Sequence, residues 1–367
     1  MSKEHITQKQ AIVMMITFTL GSTLVLGAGG AAKNDIWLAI LISMLMVIPM
    51  ILIYARILTI YPGKSLYEIL EAVFGKVFGK ILALPFIWFA FHMGSLVIRN
   101  FTEFIVIVSL PGTPQTIIAI FMTVLCIWAV RAGIEVMGRW TAIMLPILML
   151  VILAVTLLFA PVLDFSHLKP VLYEGFRPVM DSAFSVFAFP FAETVLFLTI
   201  LHKLRAKSSP YKVYFWNLLI GGSIILMVSV RTLLSLGVAN ISILFFPSYA
   251  SVRLINIGDF LERIEVSVAM IFLFAGFIKI SVCLYAASTG IASFLNYQNY
   301  RRLVVPIGLS MMILSAIIYT NTLEMFEWSN NIYQYYALPF EVFLPLIILI
   351  SAEIKSRSAG SKKKKIA

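Results

Sequence analysis

The chain has 367 residues, of which 61% are hydrophobic and only 12% are charged. This balance excludes an ordinary soluble enzyme, because globular domains average about 25% charged residues. A net charge of +11 would suggest nucleic acid in a soluble domain, but here the basic residues separate apolar segments. The charge therefore indicates membrane topology, and we expect no nucleic-acid partner.

Apolar segments recur along nearly the whole chain with short polar connections between them. A helix of about 20 apolar residues crosses the hydrocarbon layer of a bilayer. We therefore predict an all-α membrane protein with a single transmembrane domain of ten helices. The predicted spans are 9–31, 35–58, 80–107, 114–131, 137–160, 179–201, 212–236, 263–295, 302–320 and 336–354.

The positions of lysine and arginine predict the orientation of these spans, because cytoplasmic segments carry an excess of both. With the N-terminus inside, the inside segments hold 20 of the 28 Lys and Arg residues and the outside segments hold 5. Both termini are therefore predicted to be cytoplasmic. The basic tail, 355–367, ends in SKKKKIA from Ser361, which predicts a disordered end that contacts anionic lipid.

Two connections have features of their own. The segment 63–80 places apolar residues on one helical face, which predicts an amphipathic helix lying in the cytoplasmic interface. The outer loop 237–262 is the longest connection and is a candidate cover for an outer vestibule.

Small and hydroxyl residues lie near the middle of the first span, at Gly21, Ser22 and Thr23. Such residues allow membrane helices to pack closely. They also permit a break in the helix, because unwound backbone is tolerated at membrane depth where it lines a polar cavity. The sequence leaves both interpretations open.

The sixth span has a proline and an acidic residue at its centre. Pro190 removes a backbone donor and disturbs the preceding turn, next to Phe189, Ala192 and Glu193. A carboxylate facing lipid at this depth costs about 3 kcal/mol or more, so Glu193 must face protein, water or a partner. A proline kink with Glu193 buried in a helix contact is the simpler alternative.

Spans one and six are five helices apart and cross the membrane in opposite senses on the predicted topology. Interrupted helices at matching positions of two inverted halves indicate the substrate site of a transporter. We therefore predict a five-plus-five inverted repeat with broken helices one and six, with halves 1–160 and 161–354. Broken helices offer amide donors to an anionic group and carbonyls to a cation.

Other polar residues within the spans are candidates for the ligand pocket. Lys279, at the centre of the eighth span, could replace a coupling cation, carry a proton, or pair with a carbonyl or with Glu193. His92 and Ser95 lie in the third span and either line the pocket or serve packing.

A second group of charges is predicted in the outer third of the membrane and comprises Arg99, Glu103, Arg231 and Glu341. These residues could line or close an aqueous vestibule. Arg99 and Glu103 share a helix face at a spacing of four residues, so they could equally pair with each other.

Signals for catalysis and for cofactors are poor. Cys126 and Cys283 both fall inside apolar segments, where cysteine usually acts as a small packing residue. The four histidines have no metal-ligand spacing, and the chain has neither a phosphate-binding glycine loop nor a nucleophile elbow. We predict no enzyme activity, no cofactor and no metal site.

The arrangement resembles the B subunit of spore germinant receptors, a branch of the amino-acid/polyamine/organocation transporter superfamily with ten helices. The resemblance covers nearly the whole chain. It rests on Ile6–Gln10 leading into Gly21–Thr23, on Tyr61–Ile69 followed by Phe74–Lys76 and Phe78–Lys80, and on Phe189–Glu193 in the sixth span.

The resemblance implies a germinant-sensing subunit in the inner membrane of a bacterial endospore, working with an A subunit and a lipoprotein C subunit. It implies a pocket for an amino acid or similar nutrient at Gly21–Thr23 and Phe189–Glu193, near Lys279 and the stretch from His92 to Ser95. A proton-coupled amino-acid permease using Glu193 or Lys279 as proton carrier is the alternative. A membrane scaffold that binds no ligand is a third class.

Overall fold

The computed structural model describes residues 4–253 and 264–366, and the secondary structure of these ranges is helical. The α-helices in them are α1 (Gln8–Leu26), α2 (Ile36–Ile60), α3 (Leu66–Phe74), α4 (Lys76–Val108), α5 (Gln115–Ala132), α6 (Ile134–Leu158), α7 (Arg177–Val186), α8 (Pro210–Ile241), α9 (Pro247–Val252), α10 (Ile264–Phe294), α11 (Val304–Ile317), α12 (Thr322–Glu327), α13 (Tyr333–Leu338) and α14 (Leu344–Ile366).

Eight helical segments within the described ranges are long and apolar enough to cross a membrane. They are Gly30–Ile60, Lys76–Val108, Gln115–Ala132, Ile134–Leu158, Arg177–Thr199, Pro210–Ile241, Glu265–Phe294 and Thr322–Ser358. The two remaining predicted spans coincide with α1, which has 19 residues, and with α11, which has 14. The all-α membrane fold is confirmed, whereas the number of ten spans and the division into two halves stay predictions.

Contacts between the connecting segments fall into two groups, one at each end of the helix bundle. At one end Arg301 forms an ion pair with Glu4, with 2.5 Å between the guanidinium nitrogen and the carboxylate oxygen. At the other end the side chains of Lys33 and Glu174 form an ion pair. The first end also joins Ile6 to Lys203, Lys80 to Phe294 and Arg56 to Glu353. The segments joined at the first end are those that the charge pattern assigns to the inside, and the segments joined at the other end are those assigned to the outside. Which end faces the cytoplasm stays a prediction.

The first helix is continuous through Gly21, so the predicted break at Gly21–Thr23 is wrong. α1 ends only where Gly27 takes φ +84°. The hydroxyl of Thr23 donates to the carbonyl of Thr19 at 3.0 Å, so it stays within the helical turn. A Cβ atom at Gly21 would lie 2.7 Å from Cδ of Lys279. The glycine therefore serves close packing of α1 against α10.

The sixth span is broken where the sequence predicts it. α7 ends at Val186, and a wide π-helical turn, Phe187–Phe191, follows. Within this turn Phe189 leaves the helical region with φ −122° and ψ 110°, because Pro190 disfavours helical geometry in the residue before it. A tight 3₁₀ helix, Ala192–Thr199, then carries the chain onward. This break positions Glu193.

Two further predictions are corrected. The amphipathic helix predicted at 63–80 is divided at Gly75, where φ is +85°, so α3 ends at Phe74 and the following residues begin α4. α14 continues through Ile366, so the tail predicted to be disordered continues the last helix. The predicted outer loop 237–262 contains α9, and its remainder from residue 254 lies outside the described residues.

Candidate functional site

A buried ion pair lies where the broken segment meets α10. The Nζ atom of Lys279 lies 2.5 Å from Oε2 of Glu193, and the two residues are 0% and 1% exposed. The hydroxyl of Tyr333 donates to the other carboxylate oxygen, Oε1, at 2.6 Å. Both oxygens of Glu193 are thus engaged. Of the roles considered for Lys279, pairing with Glu193 is the one that the conformation contains.

Aromatic rings enclose the ammonium group of this pair. Nζ of Lys279 lies 5.1 Å from the centre of the Phe18 ring and 4.8 Å from that of Phe189. An aromatic face attracts a cation, most strongly where water is excluded. The lysine stem runs along Gly21. The ammonium is therefore held by one carboxylate and two rings, and it occupies the junction between α1, α10 and the broken segment.

A small cavity adjoins the carboxylate of this pair. Its free volume is about 20 Å³, and a single water needs about 10–15 Å³ of such space. The site is therefore closed in this conformation, and side chains must move before a ligand of amino-acid size can enter. The lining comprises Ser22, Leu26, Met93, Leu96, Val97, Asn100, Phe189, Glu193, Tyr319, Trp328, Ser329 and Tyr333.

A larger cavity, which we call the vestibule, adjoins the small one. Its volume is about 360 Å³, and it is lined by His92, Ile318, Tyr319, Glu324, Glu327, Trp328 and Ile332. The two cavities share Tyr319 and Trp328, so these side chains form the wall between them. The two glutamates make the vestibule a region of negative potential that attracts cationic groups.

The predicted pocket residues divide between these surroundings. Ser22 and Phe189 line the small cavity, whereas His92 lines the vestibule with its ring stacked 5.3 Å from that of Trp88. The hydroxyl of Ser95 donates to the main-chain carbonyl of Phe91 at 3.0 Å. Ser95 lies in the lining of neither cavity.

The backbone at the break makes a further contact. The carbonyl of Ala192 accepts a hydrogen bond from the hydroxyl of Tyr54 at 3.4 Å. Pro190 is buried in the turn just before it. These two residues belong to the frame that holds Glu193, and neither lines the small cavity.

The four residues predicted as an outer gate do not form one cluster. Arg99 pairs with Glu103 at 2.8 Å on the same face of α4, and the hydroxyl of Thr322 donates to Glu103 at 3.1 Å. Arg231 instead lies over the ring of Phe159, at 4.5 Å from its centre. The pairing of Arg99 with Glu103 was the simpler of the two interpretations of the sequence.

Glu341 lies with the central pair rather than in the outer third. It is 0% exposed and is close enough to Glu193 and Lys279 for both charges to act on it. Its main-chain carbonyl accepts a hydrogen bond from Tyr54 at 2.5 Å. The difference arises because the helical segment begins at Thr322 and not at residue 336, which places Glu341 near its middle.

Several residues of the site were not predicted. Tyr333, which binds Glu193, and the wall residue Trp328 fall before the predicted start of the last span. Asn100 lies in α4, three and four positions from Val97 and Leu96, which line the same cavity. A polar side chain within an apolar span signals a buried function, and that signal was available for Asn100.

A membrane helix bundle with a broken helix and a buried ion pair beside a central cavity defines a protein of the transporter fold. The structure is similar to that of Mhp1, a nucleobase-cation-symport-1 family transporter solved in a closed conformation with bromovinylhydantoin bound. The TM-score is 0.66 at 10% identity, over 94% of this chain and 78% of the other. This likeness concerns the fold alone.

The chain belongs to the spore germination protein family, whose family model matches residues 5–323. It is 30% identical over 376 residues to spore germination protein KB of Bacillus subtilis (strain 168), covering 100% of both chains. It is 26% identical over 336 residues to the putative spore germination protein YfkT of the same organism, covering 91% of each. The protein is thus a permease-like, multi-pass membrane member of this family.

Proposed function

We propose that this chain is the nutrient-sensing membrane subunit of a spore germinant receptor, and that it binds an amino acid or similar small nutrient at Glu193. The observation that carries this proposal is the buried Glu193–Lys279 pair beside a closed cavity at a helix break. Membership of the spore germination family supports the receptor role.

The chemistry of Glu193 favours a ligand with an ammonium group. In the closed conformation the carboxylate already holds one ammonium, that of Lys279, between the rings of Phe18 and Phe189. The same carboxylate and rings suit a second primary ammonium of similar charge and hydration. A ligand ammonium therefore competes with Lys279 for Glu193, and this exchange links occupancy of the pocket to the packing of α1 against α10.

The vestibule supplies a route to this site. Glu324 and Glu327 concentrate cationic groups in the vestibule, and its volume of about 360 Å³ admits an amino acid. The wall formed by Tyr319 and Trp328 must move before the ligand reaches Glu193. Binding then requires a conformational change, which is what a sensing subunit passes to its partners.

Partners and location follow from the receptor role. The chain would assemble with an A subunit and a lipoprotein C subunit in the inner membrane of the spore, with both termini cytoplasmic. The basic tail from Lys355 would contact anionic lipid, at about 1 kcal/mol for each basic residue near the surface. Co-purification of all three subunits from spore membranes tests the assembly.

Loss of the negative charge at Glu193 should weaken ligand binding. We expect Glu193→Gln in lipid nanodiscs to bind about 10- to 100-fold more weakly, because a hydrogen bond to a charged group contributes about 1.5–3 kcal/mol. The measurement is equilibrium binding of a panel of radiolabelled L-amino acids. Glu353→Gln, which alters an ion pair with Arg56 far from the site, is the matched control and should bind normally. Failure of the unaltered protein to bind any of the panel would contradict the proposal.

A proton-coupled amino-acid permease is the second candidate, and the transporter fold favours it. Purified protein in liposomes distinguishes the two functions. Concentrative uptake of a labelled amino acid driven by a proton gradient would establish the permease. Binding without flux, together with co-purification of two partner subunits, would establish the receptor.

Shortening Trp328 should speed entry into the pocket. We expect Trp328→Ala to raise the association rate of an amino acid several-fold, because its indole forms part of the wall between the vestibule and the small cavity. Stopped-flow tryptophan fluorescence measures the rate. Trp140→Ala, at a half-exposed position on α6, is the control. An unchanged association rate in Trp328→Ala would place the entry route elsewhere.

A further inference from the structure

Glu341 carries a buried carboxyl group whose hydrogen-bonding capacity is unused. Within residues 4–253 and 264–366, neither of its carboxylate oxygens has a hydrogen-bond partner, although the residue is 0% exposed. Glu193, at a similar burial, has both oxygens engaged. An ionised carboxylate without a partner in a water-excluded region is very costly, and such a group takes up a proton instead.

The groups around Glu341 explain why its carboxylate has no counterion. The charged and titratable groups that act on it are Glu193 of the 3₁₀ helix, Lys279 of α10, Tyr333 of α13 and Tyr54 of α2. α4 contributes the apolar ring of Phe89, stacked on Phe340 at 4.8 Å.

None of these groups neutralises the Glu341 carboxylate. The ammonium of Lys279 is held by Glu193, and the hydroxyl of Tyr333 also donates to Glu193. The hydroxyl of Tyr54 donates to the main-chain carbonyl of Glu341 and not to its side chain. Two carboxyl groups therefore have one ammonium between them, and a proton on Glu341 makes the buried cluster neutral.

We propose that Glu341 is a proton-binding site, protonated in this conformation, and that it receives the ammonium of Lys279 whenever that ammonium leaves Glu193. In the exchange the Glu341 carboxyl loses its proton to water, and the carboxylate so formed pairs with Lys279. The incoming ammonium takes the place of Lys279 on Glu193. The charges of Glu193, Glu341, Lys279 and the ligand ammonium stay balanced, and one proton is released for each ligand ammonium bound.

The exchange step rests on the proposed function, because it assumes that a ligand ammonium displaces Lys279. The proton on Glu341 does not depend on a ligand. The presence of this proton and the transfer of the Lys279 ammonium can therefore both be tested without a ligand. Glu193→Gln removes the counterion of Lys279 and should move the ammonium to Glu341, as a bound ligand would.

Infrared difference spectroscopy of the full chain in lipid nanodiscs tests the inference through the carbonyl stretch of a protonated carboxyl group. We expect a band in the unaltered protein that is lost in Glu341→Gln and equally lost in Glu193→Gln. Lys279→Met should double the band, because Glu193 then also takes up a proton. Glu324→Gln, in the vestibule, is the control and should keep the band. Thermal unfolding of each variant verifies that it is folded.

Each departure from this pattern overturns a stated part of the inference. A band that survives in Glu341→Gln, or that is missing from the unaltered protein, means that Glu341 is not the proton site. A band that survives in Glu193→Gln means that Lys279 does not transfer. If the bands follow expectation while the protein binds no amino acid, the proton site stands and the proposed function fails.

Discussion

Replacing Lys279 with methionine should destabilise the protein by about 3–5 kcal/mol, the usual cost of removing one partner from a buried ion pair. Methionine keeps the length and much of the apolar contact of the lysine stem, so packing changes little. What remains is the Glu193 carboxyl group, 1% exposed, with Tyr333 as its hydrogen-bonding partner and no cation. Unfolding in mixed micelles of a mild detergent and SDS measures the free energy.

The double variant Lys279→Met with Glu193→Gln separates the loss of the pair from the cost of a Glu193 carboxyl group left without its cation. A glutamine at 193 is neutral and keeps an acceptor for the hydroxyl of Tyr333. We expect the double variant to lose less stability than the sum of the two single losses, since residues in contact couple by about 0.5–3 kcal/mol. Strict additivity would mean that the pair contributes nothing as a pair.

Hydropathy predicts the helices that cross the membrane because each must satisfy its own backbone in lipid. It fails at the start of the last helical segment, where Glu324, Glu327, Ser329 and two asparagines interrupt the apolar pattern. Glu324 and Glu327 line the vestibule, and Ser329 lines the small cavity. The prediction therefore began the span late, and Glu341 was assigned to the outer third when it lies beside the central pair.

The break at Pro190 could be predicted, whereas the state of α1 could not. A proline removes a backbone donor wherever it stands, so the sequence itself determines the consequence. Glycine at 21 is compatible with a break and with close packing. Which of the two occurs depends on the residue that faces Gly21 across the helix interface, and that residue is Lys279. Because Lys279 lies 258 positions later in the chain, no local sequence pattern could predict this contact.

The same limit applies to the composition of the site. Glu193 and Lys279 stand out because charges within membrane spans are rare and must have partners. Their pairing with each other was one of several possibilities. Tyr333 and Trp328 were missed because aromatic residues near the end of a span normally indicate the membrane interface. Only the fold brings those rings inward, to the carboxylate of Glu193 and to the wall of the vestibule.

Substituting alanine for Gly21 should destabilise the protein by about 1–3 kcal/mol, as overpacking of a tight contact does. In an open helix the same substitution would stabilise the protein by up to about 1 kcal/mol. The sign of the change in stability therefore distinguishes a tight helix contact from an open helix face. The added Cβ atom would lie 2.7 Å from Cδ and 3.1 Å from Cβ of Lys279. The lysine stem cannot retreat freely, because Glu193 holds its ammonium at 2.5 Å.

Gly30→Ala is the matched control for this substitution. Gly30 begins a short 3₁₀ helix, and an added Cβ atom there has nothing within 4 Å, so its stability should change little. Both variants are compared by the same unfolding measurement in mixed micelles. If Gly21→Ala were as stable as Gly30→Ala, α1 and α10 would not be in close contact at the ion pair. Displacement of Lys279 by a ligand would then have no direct route to the position of the first helix.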